Sequence, residues 1–276
     1  MPWHGHLALN YRLAGPRTVV HDRHRGPLRI LQSLYPEGDA VCHNVLVHPP
    51  GGIVGGDVLH IEAALGESTH AVITTPGATR FYRSAGATAE QTLTARMAAG
   101  ARLEWLPAET ICHRAALADS RLRFELAPGA EMIGSDVLAL GLPASGEPFD
   151  AGRYTQQIEL PGIWLERGRV AAADTRLLDS PLGLAGHRVL GTLWFAAGSA
   201  LPLERREALL ATARAASDAH ALRATAGSTA VHDGIVVLRV LAPRVEPLMA
   251  LLTSVWGAWR ALAWQLPANT PRVWRT

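Results

Sequence analysis

Six carboxylates, Asp57, Glu104, Glu109, Asp136, Glu147 and Glu166, each stand within two residues of a Gly, Pro or Trp. Acids in such settings do one of two jobs. They cap a turn or a strand end, or, if several line one interior path, they pass a divalent cation along by successive weak coordination. The sequence leaves both open. Twelve His and two Cys-His dipeptides, Cys42-His43 and Cys112-His113, add imidazole and thiolate donors, of the kind that suits nickel, zinc or copper. Adjacent residues of a strand point to opposite faces, so neither dipeptide chelates one ion without a turn or bulge. His4, His6, His21 and His24 cluster near the N-terminus and are expected at the surface. No Cys/His tetrad has structural-zinc spacing, so the expectation is transient metal contact and no tightly bound cofactor.

Two glycine-rich stretches accompany these acids. Residues 48–57 read HPPGGIVGGD and residues 74–84 read TTPGATRFYRS. Pro49 and Pro50 fix φ and remove two amide donors. Gly51, Gly52, Gly55 and Gly56 allow positive φ or close backbone approach next to His48 and Asp57. The second stretch sets Thr79, Arg80, Tyr82, Arg83 and Ser84 around a Pro-Gly turn. Segment 51–56 looks superficially like a phosphate cradle, but it has no Lys and opens no helix. Every basic residue is Arg, which excludes Schiff-base and P-loop lysine chemistry. No nucleophile elbow, zinc-protease, Cys-x-x-Cys or dinucleotide signature is present, so an enzyme is not expected.

The elements that must hold these residues are mostly strands. At 276 residues, 48% hydrophobic and net charge +2, the chain reads as core-forming, with no field for nucleic acid or membrane. Two cysteines suit a reducing compartment, and the N-terminus has no secretory pattern. Tract 249–266 is broken by polar residues and reads as a buried helix, not a membrane span. Period-2 alternation marks strands at 58–63, 122–126 and 158–160, and an apolar run marks one at 235–240. A strand–Gly turn–strand unit recurs around Gly66, Gly100 and Gly129, which are 34 and 29 residues apart. Spacing near thirty predicts stacked coils, as in a β-solenoid or sandwich, with ordinary hairpins as the alternative. Two helices are predicted late, at 201–216 after Pro202 and at 245–263. The apolar stripe of the second (245, 248, 249, 252, 255, 256, 259, 262 and 263) serves either core or a partner. The fold expected is mainly β with about two C-terminal helices. A single domain is expected, strand-rich over 1–198 and helix-containing over 199–276.

These motifs resemble those of the urease accessory protein UreD (UreH) family. The two glycine stretches look like its hallmark motifs. Collinear with them are segments 26–29 (GPLR), 34–38 (LYPEG), 103–110 (LEWLPAET), 138–147 (LALGLPASGE) with Phe149, and the closing 271–276 (PRVWRT). The resemblance implies a mostly β, cytoplasmic, non-enzymatic scaffold for urease maturation. It would bind apo-urease and UreF, which recruits the GTPase UreG, in nickel delivery fed indirectly by UreE. It also implies an internal nickel tunnel. By motif position, Asp57 and Glu166 lead as tunnel acids, while Thr79, Tyr82, Arg83 and Ser84 shape the path, the partner surface or only the turn. After the central motif the chain departs from the family with Cys112-His113-Arg114. A pure protein–protein scaffold without nickel contact is the alternative. An enzyme of another type has no motif behind it.

Overall fold

The computed structural model describes residues 2–275; Thr276, the end of the closing motif, lies outside the described residues. In chain order the strands are β1 (His4–Ala14), β2 (Arg17–Arg25), β3 (Arg29–Ile30), β4 (Val41–Val47), β5 (Val58–Leu65), β6 (His70–Thr74), β7 (Thr79–Phe81), β8 (Ala89–Met97) and β9 (Arg102–Leu106). They continue with β10 (Thr110–Cys112), β11 (Ala116–Leu126), β12 (Glu131–Leu140), β13 (Gly152–Leu160), β14 (Trp164–Ala171), β15 (Val189–Ala197), β16 (Ala226–His232) and β17 (Ile235–Ala242). The helices are α1 (Thr175–Asp179), α2 (Leu203–Asp218) and α3 (Val245–Trp264).

Among the described residues the strands form two main sheets. The first has seven strands in the order β14-β13-β11-β8-β5-β1-β2, and the second runs β16-β17-β15-β12-β9-β6-β4-β3. In the first, β1, β5, β8, β11 and β13 are parallel neighbours; in the second, β4, β6, β9 and β12 are. The chain therefore climbs in coils, leaving the first sheet and entering the second at each turn of the stack. The glycine turns make that crossing. Gly100 and Gly129 adopt φ of +70° and +79°, and Ala98 N–H and Ala127 N–H donate to the carbonyls of Leu65 and Met97 one coil below. The repeat near thirty is thus one coil of a β-solenoid-like stack. Antiparallel strands close it: β2 and β14 flank the first sheet, and β15, β17 and β16 extend the second.

The two sheets differ in burial because they differ in neighbours. Strand β5 alternates between buried and half-exposed residues, with one face to solvent. Strand β6 is buried at all five positions, because the second sheet is covered on both faces. Its inner face meets the first sheet across a core that includes Phe124, Trp105 and Trp194. Its outer face meets α2 and α3 through Phe195, Leu209, Trp256 and Trp259.

Two helices match the sequence expectation closely, with Pro202 just ahead of α2. The short α1, capped by the Asp174 carboxylate accepting from Leu177 N–H at 3.0 Å, is a third. Five residues with no apolar period carry no sequence signal beyond that cap. The α3 stripe is core, with Trp256 and Trp259 almost wholly buried, although Leu262 turns out to solvent. No helix among the described residues is long and apolar enough to cross a membrane.

Candidate functional site

The motif residues gather at one corner of the stack. The segment after the glycines bridges to β7: Ile53 N–H donates to the Arg80 carbonyl at 2.7 Å, and Tyr82 N–H donates to the Ile53 carbonyl at 2.9 Å. Strand β7 then pairs with β10, and β10 with β12. The two hallmark motifs, the central motif and the 138–147 motif are therefore successive floors of one corner. The glycines make the first two interlock. A Cβ on Gly52 would sit 2.0 Å from the Tyr82 ring, and one on Gly55 would sit 2.3 Å from Ser84 Oγ and 2.6 Å from the Ala87 carbonyl oxygen. Gly51 and Gly56 supply the positive φ of the turns.

Several predicted residues take structural parts in this corner. Asp57 is buried, and its two oxygens accept from Trp3 N–H at 2.7 Å and Val54 N–H at 3.0 Å. It caps a turn and ties the N-terminal strand to the first motif. Ser84 Oγ bonds the Ala87 carbonyl and receives Gly86 N–H. Thr79 N–H donates to the Glu109 carbonyl at 2.9 Å. A small cavity of about 260 Å³ opens here, lined by His48, Gly51, Gly52, Thr79 and Arg80 among others. His48 Nε2 is buried with no hydrogen-bond partner. Burial, opposed by the nearby Asp57 charge, holds His48 below the usual imidazole range. Arg80 and Arg83 are exposed, and Tyr82 is 37% exposed. Glu109 lines a neighbouring groove with Glu246 and Met249 of α3. Exposed Glu147 lies 3.7 Å from His113 Nδ1.

The Cys-His dipeptides split as strand geometry requires. Cys42 enters the inter-sheet core, and His43 meets Glu37 at 2.7 Å. Burial pushes both thiols up, that of Cys112 to about 12. Both are protonated at neutral pH and are poor metal donors.

Glu104 sits elsewhere and is fully buried. Its carboxylate accepts from Trp256 Nε1 at 2.6 Å and Arg260 Nε at 3.1 Å, both on α3, and meets His70 Nε2 at 2.7 Å. Arg260 continues to Glu37 at 2.9 Å, and Glu37 also receives His43. Burial alone would raise the Glu37 carboxyl, yet the His43 hydrogen bond and the Arg260 guanidinium hold it below the usual range.

The second cavity lies between the sheets and holds about 590 Å³. Asp136 (β12), Glu166 (β14), Tyr154 and Gln156 (β13), Thr192 (β15) and Arg239 (β17) project into it. Two of the predicted acids, far apart in sequence, are brought together here. Asp136 receives a hydrogen bond from Gln156 Nε2. It is half-buried in the cavity wall, and burial raises its carboxyl to about 6 against the lowering effect of the Gln156 hydrogen bond, with the Glu166 charge adding to the rise. Glu166 is paired with Arg239, whose Nε lies 3.0 Å away. Tyr154 Oη is buried without a hydrogen-bond partner. Oxygen donors with spare lone pairs in a space that water can enter can take a divalent cation weakly. Asp57 is not part of this set: Glu166 meets Asp136.

The match to known proteins decides the family. A family model described as UreD urease accessory protein matches residues 4–275. This chain belongs to the UreD family of urease accessory proteins. Similar relatives named "Urease accessory protein UreD" come from Leptothrix cholodnii, 62% identical over the whole of both chains, and Variovorax paradoxus, 61% identical over the same share. One from Paracidovorax citrulli is 62% identical over 99% of each chain. In this UreD-family chain the two glycine motifs, the end of the central motif and the 138–147 motif form the stacked corner just described. Asp136, one of the six acids noted in the sequence, is the one that the structure brings beside Glu166. Its signal was present, in the alternation of Met132, Gly134, Asp136 and Leu138 along one face of a strand.

Proposed function

We propose that this protein is a maturation scaffold that passes nickel, as cargo, to the urease active site by way of the Asp136–Glu166 cavity. In this reading it binds apo-urease and UreF, with UreG recruited through UreF and nickel supplied upstream by UreE, in the cytoplasm. The observation that carries the proposal is the meeting of two carboxylates in one solvent-sized space between the sheets. Membership of an accessory rather than a catalytic family supports the non-enzymatic part. Asp136, with its carboxyl near 6, ionises readily when a cation approaches. Glu166 must release Arg239 to take part, so the site holds its cargo loosely, as a transfer site should. Two buried free thiols suit a reducing compartment.

The test is co-expression of the Asp136→Ala/Glu166→Ala variant with urease and the other accessory proteins. Nickel per urease active site is expected to fall while the complex with UreF still forms. Full loading by the double variant would remove nickel from the proposal. A second reading then takes over, favoured by the Glu166–Arg239 ion pair: the chain holds its partners together, and the cavity charges only brace the two sheets.

A further inference from the structure

On the solvent face of the seven-stranded sheet, the side away from the inter-sheet cavity, three metal-type donors converge. His6 of β1 and His60 of β5 are direct register partners. Their rings stack with centroids 5.4 Å apart and planes 13° from parallel. Glu62 follows His60 on the same face. Its Oε2 lies 3.3 Å from His6 Nε2 and its Oε1 lies 3.3 Å from His60 Nε2. One ligand atom from each of the three lies within 4.8 Å of the other two. Two ligands of one late first-row cation, each about 2.0–2.2 Å from it, stand about 3.0–3.5 Å apart. Both His–Glu spacings, one to each carboxylate oxygen, fall in that range. Ala8, the register partner of Glu62, is small and leaves the open side of the cluster unfilled.

We propose that His6, His60 and Glu62 form a surface site for a late first-row divalent cation, nickel or zinc, bound through both Nε2 atoms and the Glu62 carboxylate. A second observation supports it. His60 Nδ1 lies 2.6 Å from Thr92 Oγ1 on β8, and the Thr92 hydroxyl turns toward the Leu59 carbonyl at 3.5 Å. With its own proton directed there, Thr92 accepts when Nδ1 carries the ring proton, and in that tautomer Nε2 is free to ligate a cation. That is the second-shell arrangement of metal-binding histidines. Three protein donors leave coordination positions for water or a fourth ligand, and His4 shares the face one step back along β1. Arg25 pairs in register with His6 on its other side. This nearby positive charge keeps the site from being a tight one. The site stands apart from the Asp136–Glu166 cavity and does not depend on that reading.

Zinc and nickel titrations of the full chain test it, followed by calorimetry and, for zinc, by NMR of the histidine ring nitrogens. Zinc is expected to shift the His6 and His60 Nε2 resonances while those of His21 and His220 stay. Magnesium, which prefers oxygen, is expected to shift neither pair. His60→Ala is expected to remove one binding event, and Thr92→Val to weaken it about tenfold. Glu62→Gln is the isosteric second variant, expected to weaken the site without touching the sheet. Asp136→Asn/Glu166→Gln is expected to leave the His6 and His60 shifts intact, which separates this site from the internal cavity. Unmoved His6 and His60 resonances at saturating zinc overturn the proposal. So does an isotherm unchanged by His60→Ala, or equal shifts with magnesium.

Discussion

Glu104 and Asp136 are both acids on the second sheet, one coil apart, yet they live by different rules. Glu104 faces outward, toward α3, and both of its oxygens are met: by an indole, a guanidinium and an imidazole. Asp136 faces inward, toward a cavity, and receives a single side-chain amide. The first is a bolt that fastens a helix to the coils. The second is an acid with unused valence in a space that water can enter. A buried carboxylate that is fully satisfied explains structure. One that is half satisfied, beside a second acid, invites a cation.

That contrast can be broken at three points. Glu104→Ala is expected to have the largest effect. It removes one of the two carboxylates that hold the wholly buried Arg260 guanidinium and leaves Arg260 Nε and the Trp256 indole N–H without an acceptor, and removing one partner of a buried pair costs about 3–5 kcal/mol. Urea midpoints or soluble yield would register it, and a change below about 1 kcal/mol would mean that Glu104 is no bolt.

Asp136→Asn should do the opposite. A carboxyl raised from 3.8 to about 6 binds its proton more readily folded than unfolded, so its contribution falls as pH rises through that window. The Asn variant is therefore expected to be more stable than wild type at pH 7.5, by about 1–3 kcal/mol, with the gain vanishing below pH 4. Thermal unfolding across pH 4–8 reads the sign directly. A gain that persisted at pH 4, or a loss at pH 7.5, would contradict the raised carboxyl.

The smallest effect on stability is expected from Arg239→Ala. Its ion pair with Glu166 is partly exposed, and such pairs contribute about 0–1 kcal/mol. Its sharper readout is metal uptake: with Glu166 released, the cavity should hold nickel more tightly than wild type in equilibrium dialysis. Unchanged uptake would say that Glu166 takes no part in binding.

Much of the fold was legible because period and punctuation agreed. The alternation of β5 and β11, the glycines near every thirtieth residue and the α3 stripe each have one physical cause. The roles of the acids were less legible. The pattern of Leu103, Glu104 and Trp105 says that Glu104 lies opposite two apolar neighbours, which normally means solvent. It does not say that helices cover that face too, a fact settled by residues some 150 positions later. Asp136 meets Glu166 only because β13 folds the chain back across the stack. For Asp57, at the end of a hallmark motif, the sequence leaves turn cap and ligand both open, and in the fold its two oxygens accept from backbone amides. The His6–His60 register needed the pairing of β1 with β5, which no local signal announces.

The antiparallel strands at the ends of the stack have a further consequence. Parallel coils are open-ended: the last one offers its successor the same edge that it received, and nothing in the repeat itself says stop. Such an edge can recruit a second molecule and grow into a fibre. Here β2 runs against β1 at one end of the first sheet and β14 runs against β13 at the other, so each terminal edge has the wrong polarity to continue the parallel series. The sequence of β2 carries Arg17, Asp22, Arg23, His24 and Arg25 along that edge, a density of charge that repels strand addition. The reversed strands thus set the length of the stack, and they keep a repeating architecture from becoming a polymer.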